Sequence, residues 1–357
     1  MTDVTDATAA APVKAVDSSA TAQLLAEAAG RIDAPDVVLA MSRGGVRTVH
    51  TGGSAEPGPV ARERLHYELG SASKPFAGLL LARLVAQGRV RYEDRAADLL
   101  APGLPVHPAV RRITLRHLLT HTSGLPGLPA DFYPQAVPRW STDPYGNYPA
   151  DRVVRAFLRA RPRHRPGTRW HYSNFAVSVL GHTLAAATGT PWEVLLHQQV
   201  LAPLGLEATL LRPGPDGTDA TGHRRDGTPL PALDTGGFTA AGALRSSPLD
   251  LLTFLEAHVE GAWGSPTDPS LAAALTEVTR PVLRRGWRHA HTHTLTWFQH
   301  PTPYGPVLFH AGATLGQQAF LGFRPGTGLA VAATATRRVH RADTFVATAY
   351  GLLTETP

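Results

Sequence analysis

The chain has 357 residues, of which 43% are hydrophobic and 17% charged, so it is expected to fold around an apolar core rather than to be disordered. It contains no cysteine, which excludes disulfides, thiol chemistry and cysteine-ligated zinc. The net charge is +6, and because the arginines are spread along the sequence, we expect a solvated surface and no nucleic-acid partner.

The N-terminal residues predict neither a secretory signal nor a membrane anchor. Acidic residues come early, at Asp3 and Asp6, and no apolar signal core follows them. The longest apolar run, residues 76–86, is interrupted by Arg83 and is shorter than the ~20 residues that span a bilayer. We therefore expect a cytoplasmic protein with no membrane partner, preceded by a disordered tail over residues 1–18.

Elements predicted in chain order place strands near both ends and helices between them. A helix over 19–32 precedes two strands, 37–42 and 46–51, joined by a glycine turn. Further helices are predicted at 76–87, 115–121, 174–187 and 251–259. Strands at 307–310, 318–323 and 329–336 and a helix at 341–353 follow.

This order predicts an α+β fold with one antiparallel sheet built from both ends of the chain and flanked by helices. Residues 19–85 and 290–357 are expected to form the sheet domain. Residues 86–289 are expected to form an inserted, mostly helical domain. The stretch 126–149 is rich in Pro, Gly and aromatic residues, and a loop of that length in a compact domain is usually functional.

Lysine is almost absent from the chain. The 34 basic residues include only two lysines, Lys14 in the tail and Lys74, which stands three positions after Ser71. Arginine stays protonated in proteins, whereas a buried lysine can lose its proton and act as a base. If a helix begins near Ser71, the two side chains lie one turn apart on one face. The S-x-x-K pattern therefore predicts a nucleophile and its proton acceptor.

Two further motifs carry groups suited to the same chemistry. In the sequence Tyr172-Ser173-Asn174, the phenol can relay a proton as a phenolate or as a phenol polarised by Lys74, and the Asn174 amide can position Lys74 or a substrate. In the run from His310 to Ala313, the backbone N–H of Ala313 can complete an oxyanion hole with that of Ser71.

Gly312, within that run, is expected to let a ligand approach the backbone closely.

Together the three motifs resemble the serine β-lactamase and penicillin-binding superfamily, in the branch with class C β-lactamases, D-alanyl-D-alanine carboxypeptidases and esterases. The order S-x-x-K, Y-x-N and K/H-x-G is that of the family, and the segment 113–125 also matches. The resemblance implies a β-lactamase/transpeptidase-like fold with Ser71 in a cleft between two lobes. It also implies an acyl-enzyme, with catalytic Ser71, Lys74 and Tyr172 and no cofactor or metal.

The resemblance further implies that Asn174 and His310 orient the substrate, a small-molecule or peptide acyl compound. The lactamases carry lysine where this chain has His310. A mostly neutral histidine is a weaker anchor for a carboxylate, which argues against efficient β-lactamase activity.

Three alternatives stay open at the level of the sequence. Water as acceptor makes an esterase, peptidase or thioester hydrolase, whereas a bound amine or alcohol makes an acyltransferase or a peptide-cyclising thioesterase. Metal chemistry is the second alternative, since His289, His291 and His293 alternate along one strand face. A non-catalytic binding module is the third. The oligomeric state is not readable.

Overall fold

The computed structural model describes residues 18–259, 268–286 and 291–356. The tail predicted over 1–18 lies outside these ranges except for Ser18, which begins a helix.

The strands, numbered in chain order, are β1 (Val37–Arg43), β2 (Val46–Gly52), β3 (Tyr67–Glu68), β4 (Thr209–Leu210), β5 (Gly222–His223), β6 (Pro229–Leu230), β7 (Arg245–Ser246), β8 (Leu283–Arg285), β9 (His291–His293), β10 (Phe298–His300), β11 (Val307–Ala313), β12 (Gln318–Arg324) and β13 (Leu329–Ala335).

The α-helices are α1 (Ser18–Ala29), α2 (Lys74–Ala86), α3 (Ala96–Leu100), α4 (Pro108–Arg111), α5 (Leu115–Leu119), α6 (Tyr133–Ala136), α7 (Ala150–Leu158), α8 (Asn174–Thr188), α9 (Trp192–Leu196), α10 (Thr239–Gly242), α11 (Pro248–Glu256), α12 (Pro269–Thr279) and α13 (Phe345–Glu355).

One antiparallel sheet joins the two ends of the described chain. Within the described ranges it has eight strands, in the order β2-β1-β13-β12-β11-β10-β9-β8. The register pairs Val37 of β1 with Ala335 of β13. The turn between β1 and β2 uses Gly44 and Gly45, both with positive φ, as a tight hairpin requires. The predicted α+β class and the sheet made from both ends are confirmed.

Both faces of the sheet are covered, because side chains alternate along each strand. Leu39 of β1 packs in a cluster with Phe345 of α13 and Leu25 of α1. Ala40, on the opposite face, belongs to the large core that includes Phe76 of α2. Helix α2 is therefore buried nearly all round, which its uniformly apolar sequence predicts.

Some element limits differ from those expected. Helix α5 ends at Leu119 rather than at residue 121, because His121 has a left-handed backbone with φ 58°. Helix α13 begins at Phe345 rather than at residue 341, where the Asp343 carboxylate accepts a hydrogen bond from the Phe345 N–H. Strand β8 lies within the stretch 86–289 and pairs with β9 in the large sheet. The domain limits themselves stay a prediction.

Among the described residues, no helix combines the length and the apolar character needed to cross a bilayer.

Candidate active site

Ser71 lies in a 3₁₀ turn, Gly70–Ser73, that leads directly into α2. Gly70 takes the left-handed conformation with φ 50°, which a glycine adopts without strain. The turn therefore carries Ser71 and Lys74 onto the same side of the helix, as the spacing predicts. The Lys74 side chain is only 1% exposed at the head of the buried helix.

The Lys74 amine lies among three oxygen atoms. Its Nζ is 3.0 Å from Ser71 Oγ. It is also 2.9 Å from Asn174 Oδ1 and 2.9 Å from the carbonyl oxygen of Ala241. A neutral amine has two N–H groups and a lone pair. Because the two carbonyl oxygens can only accept, they take both N–H groups and leave the lone pair for the Ser71 hydroxyl.

Burial favours the neutral form of both proton carriers. Burial lowers the pKa of Lys74 from 10.5 to about 7, so a large fraction of the amine is free base near neutrality. Burial raises the pKa of Tyr172 to about 12, opposed by its hydrogen bond with Ser71. The phenol is therefore protonated, and it donates to Ser71 Oγ over 2.7 Å. Of the two forms considered for Tyr172, the geometry favours the phenol over the phenolate.

Tyr172 and Asn174 reach the serine from the start of α8. Ser173 caps this helix, its Oγ accepting from the Ala176 N–H over 2.9 Å, and Asn174 is the first helical residue. The backbone of Ser173 is extended, and the side chains on either side of it both reach the site: the Tyr172 hydroxyl contacts Ser71 Oγ and Asn174 Oδ1 contacts Lys74 Nζ. The S-x-x-K and Y-x-N motifs thus meet at Ser71 Oγ and Lys74 Nζ.

His121 is a residue at the site that the sequence reasoning did not single out. Its backbone oxygen accepts from the His171 N–H over 2.8 Å, and its Nδ1 accepts from the Ser173 N–H over 3.2 Å. These two bonds fix the backbone on either side of Tyr172, whose ring centroid lies 4.5 Å from that of His121. Burial, followed by the charge of Lys74, holds the pKa of His121 well below its usual range, so the ring stays neutral.

Two glycines bring β11 against the serine turn. A Cβ at Gly312 would lie 2.0 Å from the Leu69 carbonyl oxygen and 2.4 Å from the Ala72 nitrogen. A Cβ at Gly70 would lie 2.4 Å from the Ala313 carbonyl oxygen. Gly312 was expected to admit a ligand to the backbone, but the backbone that approaches it is that of the chain's own serine turn.

Ser71 opens onto a small cavity of about 50 Å³. Asn174 and Ala313 from the predicted motifs line it. The other lining residues come from the serine turn and from segments that carry no motif: Gly70, Tyr145, Leu233, Thr235, Ala241 and Gly242. Tyr145 belongs to the aromatic stretch 126–149, which was the sequence signal for this wall. The Ala241 carbonyl oxygen had no signal, because a backbone group is contributed by any residue type.

His310 is not among the described residues that line this cavity. The side chain is 2% exposed, and its Nδ1 donates to the Ala311 carbonyl oxygen over 2.8 Å. Burial, followed by the charge of Lys74, lowers its pKa to about 3, so the ring carries no charge. The structure thus places His310 close to the site but outside the set of described residues that line the cavity.

The described ranges hold no group of three or more residues suited to a metal ion. His289 of the alternative histidine set lies outside the described residues. His293 already accepts a hydrogen bond at Nε2 from Arg285 Nε over 2.8 Å. Burial, followed by the charge of Arg285, lowers the pKa of His293 to about 4, and the positive charge of Arg285 also opposes a metal cation.

With the fold and the site described, comparison with known proteins identifies the family. A family model described as Beta-lactamase matches residues 21–355, and the chain belongs to that family. The predicted assignment to the β-lactamase and penicillin-binding superfamily is confirmed, and with it the coarse assignment to a family of serine hydrolases.

The chain is 26% identical to a beta-lactamase of Pseudomonas fluorescens, over 80% of this chain and 83% of that protein. It is 26% identical to the D-alanyl-D-alanine-carboxypeptidase/endopeptidase AmpH of Escherichia coli (strain K12), over 63% of this chain and 58% of that protein. It is 30% identical to Esterase EstB of Burkholderia gladioli, over 42% of this chain and 40% of that protein.

Among solved structures, a class C beta lactamase from Rhodobacter sphaeroides superposes with a TM-score of 0.75. Sequence identity is 23%, and the match covers 94% of this chain and 97% of that chain. This likeness confirms the predicted β-lactamase/transpeptidase-like fold.

Proposed function

We propose that the protein is a serine hydrolase that forms an acyl-enzyme on Ser71 and cleaves an ester, thioester or amide. The observation that carries the proposal is the environment of Lys74. Its amine gives both N–H groups to carbonyl oxygens, lies 3.0 Å from Ser71 Oγ and has a pKa of about 7. A free amine held beside a hydroxyl can act as the general base that activates a serine nucleophile.

In the acylation step, Ser71 Oγ forms a bond to the substrate carbonyl carbon while its proton passes to Lys74 Nζ. The bond from that carbon to the leaving group then breaks. The Tyr172 hydroxyl delivers a proton to the leaving group and is reprotonated from Lys74, so the amine is free again. The backbone N–H groups of Ser71 and Ala313 are proposed to stabilise the oxyanion.

In the second step, a water molecule gives its proton to the same Lys74–Tyr172 pair and attacks the acyl carbon. The carbon–Oγ bond breaks, Ser71 recovers its proton, and the acid is released. The relatives named as a carboxypeptidase/endopeptidase and as an esterase are consistent with such hydrolysis. A neutral, buried His310 supplies no cation for a substrate carboxylate, which favours uncharged acyl groups over carboxylate-bearing β-lactams.

The first test replaces the amine without removing its charge. We expect Lys74→Arg to lower kcat/KM for a p-nitrophenyl ester about 10³-fold or more, because a guanidinium does not give up its proton. Ser71→Ala should abolish the acyl adduct seen by intact-mass spectrometry. Lys14→Arg makes the same exchange at the other lysine of the chain and should leave turnover unchanged. Undiminished turnover in Ser71→Ala would refute the mechanism.

Acyl transfer is the second candidate, because Tyr145 and Leu233 give the cavity beside Ser71 an apolar wall. An apolar acceptor held there would compete with water for the acyl group. Incubation with an activated ester and increasing amounts of a small amine or alcohol separates the two functions. Formation of the new amide or ester at the expense of free acid would identify a transferase.

A further inference from the structure

A second cavity, of about 790 Å³, lies apart from the nucleophile. Its wall is formed by the loop 126–133, by α7 with the segment that follows it, and by Phe175 of α8. It shares no lining residue with the cavity at Ser71. The mechanism proposed above makes no use of it.

The wall of this cavity is strongly basic. Its lining residues include five arginines and one acid, Asp131, which leaves a formal excess of four positive charges. Arg152 is paired with Asp131 at 3.0 Å, and Arg155 is paired with Asp151 at 2.5 Å. The other lining arginines form no ion pair within the described ranges: Arg159, Arg161 and Arg163.

The local structure explains why these arginines converge. Arg152 and Arg155 follow helical spacing on α7, and Arg159 is the residue at its C-terminal end. The chain then turns back, and the Arg163 N–H donates to the Gly124 carbonyl oxygen over 2.9 Å. This bond holds the segment 159–163 against the loop that forms the opposite wall. The five arginines, which lie within positions 152–163 of the sequence, thus surround one opening.

The floor of the cavity is apolar. Phe175 is only 2% exposed and belongs to the main core. Leu128 and Ala156 are half-buried and pack against the same core, and Ala160 lies beside them. An apolar floor with a few charged groups at the rim is the usual composition of a small-molecule site. Unpaired guanidinium groups at the rim bind the planar oxygens of phosphates and carboxylates.

We propose that this cavity binds an amphipathic organic anion, a phosphate or carboxylate attached to an alkyl or aryl body. The oxyanion lies between Arg159 and Arg163, and the apolar body lies on the floor formed by Leu128, Ala160 and Phe175. The site is distinct from the catalytic cavity, because the two cavities share no lining residue.

Isothermal titration calorimetry with octyl phosphate and with octanoate tests the proposal, in both the wild-type and the Ser71→Ala protein. We expect saturable one-to-one binding of at least one of them, equal in the two proteins. Whichever of the two compounds binds more tightly assigns the head group as phosphate or as carboxylate. The double variant Arg159→Gln/Arg163→Gln should lower the affinity at least tenfold, whereas Arg89→Gln, an exposed arginine elsewhere, should not.

A second variant fills the apolar floor of the cavity and keeps every arginine. Ala160→Phe should also lower the affinity at least tenfold, and thermal unfolding followed by circular dichroism checks that each variant is folded. Three results would overturn the proposal: equal binding by the double variant, equal affinity for inorganic phosphate and octyl phosphate, or tight binding of a single-stranded oligonucleotide that Ala160→Phe does not change.

Discussion

At the scale of single residues, the pKa of Lys74 sets the pH range in which the proposed reaction runs. Burial lowers that pKa from 10.5 to about 7, and only the free amine can accept the Ser71 proton. We therefore expect kcat/KM for a neutral ester to rise with pH, with an apparent pKa of about 7. At pH values below 7, kcat/KM should fall because the amine is protonated. Stopped-flow or steady-state rates between pH 5 and 9 measure this profile.

Tyr172→Phe provides the control for this profile. The pKa of Tyr172 lies at about 12, so the phenol does not titrate in that range. The variant should be slower, but its rate should still rise around the same pH. An ascending limb that disappears with the phenol would assign the base to Tyr172 instead of Lys74.

His121 is expected to act as a positioning residue. His121→Ala removes the acceptor for the Ser173 N–H and places alanine at φ 58°. We expect kcat to fall about tenfold or more with little change in KM, because Tyr172 loses its alignment. His121→Asn should recover part of the rate, since asparagine tolerates this backbone and keeps an acceptor. His171→Ala, an exposed neighbour, should be neutral.

The reactive side chains could be predicted from the sequence better than the backbone groups and packing that position them. Ser71, Lys74, Tyr172 and Asn174 stand in motifs whose residue types are themselves reactive, so their convergence could be predicted. The Ala241 carbonyl oxygen could not, because it depends only on where the backbone passes. The burial of His310 was equally hidden, because it follows from packing between strands and not from its neighbours in sequence.

At the scale of elements, the contact between β11 and the serine turn depends on glycine. Gly312→Ala places a Cβ 2.0 Å from the Leu69 carbonyl oxygen, a backbone atom that cannot rotate away. We expect the free energy of unfolding to fall by about 2–3 kcal/mol. Activity should fall as well, because Ala313 moves away from Ser71. Urea unfolding measures the first effect and ester turnover the second.

Gly326→Ala is the matched control, since an added Cβ there meets nothing within 4 Å. Its free energy of unfolding should stay within about 0.5 kcal/mol of the wild-type value. A Gly312→Ala protein as stable as this control would show that the strand does not pack on the serine turn.

Element types could be predicted wherever the apolar pattern was long and regular. The buried helix α2, the capped helix α8 and the paired strands at both ends are examples. Short elements were harder to predict. Strands β8 and β10 were not predicted, and a strand at β9 was considered only as the face that carries His291 and His293. Strands β8, β9 and β10 have three residues each, too few for an alternating pattern to stand out. They pair in series onto the seven-residue strand β11, so their extended form depends on pairing with neighbours more than on their own sequence.

At the scale of the whole molecule, buried neutral histidines make the fold sensitive to acid. Burial lowers the pKa of His258 from 6.5 to about 4 and that of His310 to about 3. The unfolded chain therefore binds protons below pH 6.5 that the folded chain does not. The free energy of unfolding should fall as the pH drops from about 6.5 toward 4. Urea unfolding at a series of pH values measures the slope.

His258→Phe isolates one of these protons. The ring packs edge-on against Phe254 and Trp297, so phenylalanine fits the same aromatic cluster. The slope of unfolding free energy against pH between 4 and 6.5 should decrease by about 1.4 kcal/mol per pH unit, which corresponds to one proton. An unchanged slope would mean that His258 is not buried in its neutral form.

The long separation between Lys74 and its partners has a consequence for protein synthesis. Asn174 and Ala241 follow the lysine by 100 and 167 residues, and both hydrogen-bond its buried amine in the folded chain. A growing chain on the ribosome that has not reached residue 241 keeps that group as an ordinary ammonium ion. Its serine then lacks the free amine that the proposed mechanism requires, so we expect that an incomplete chain does not form an acyl-enzyme.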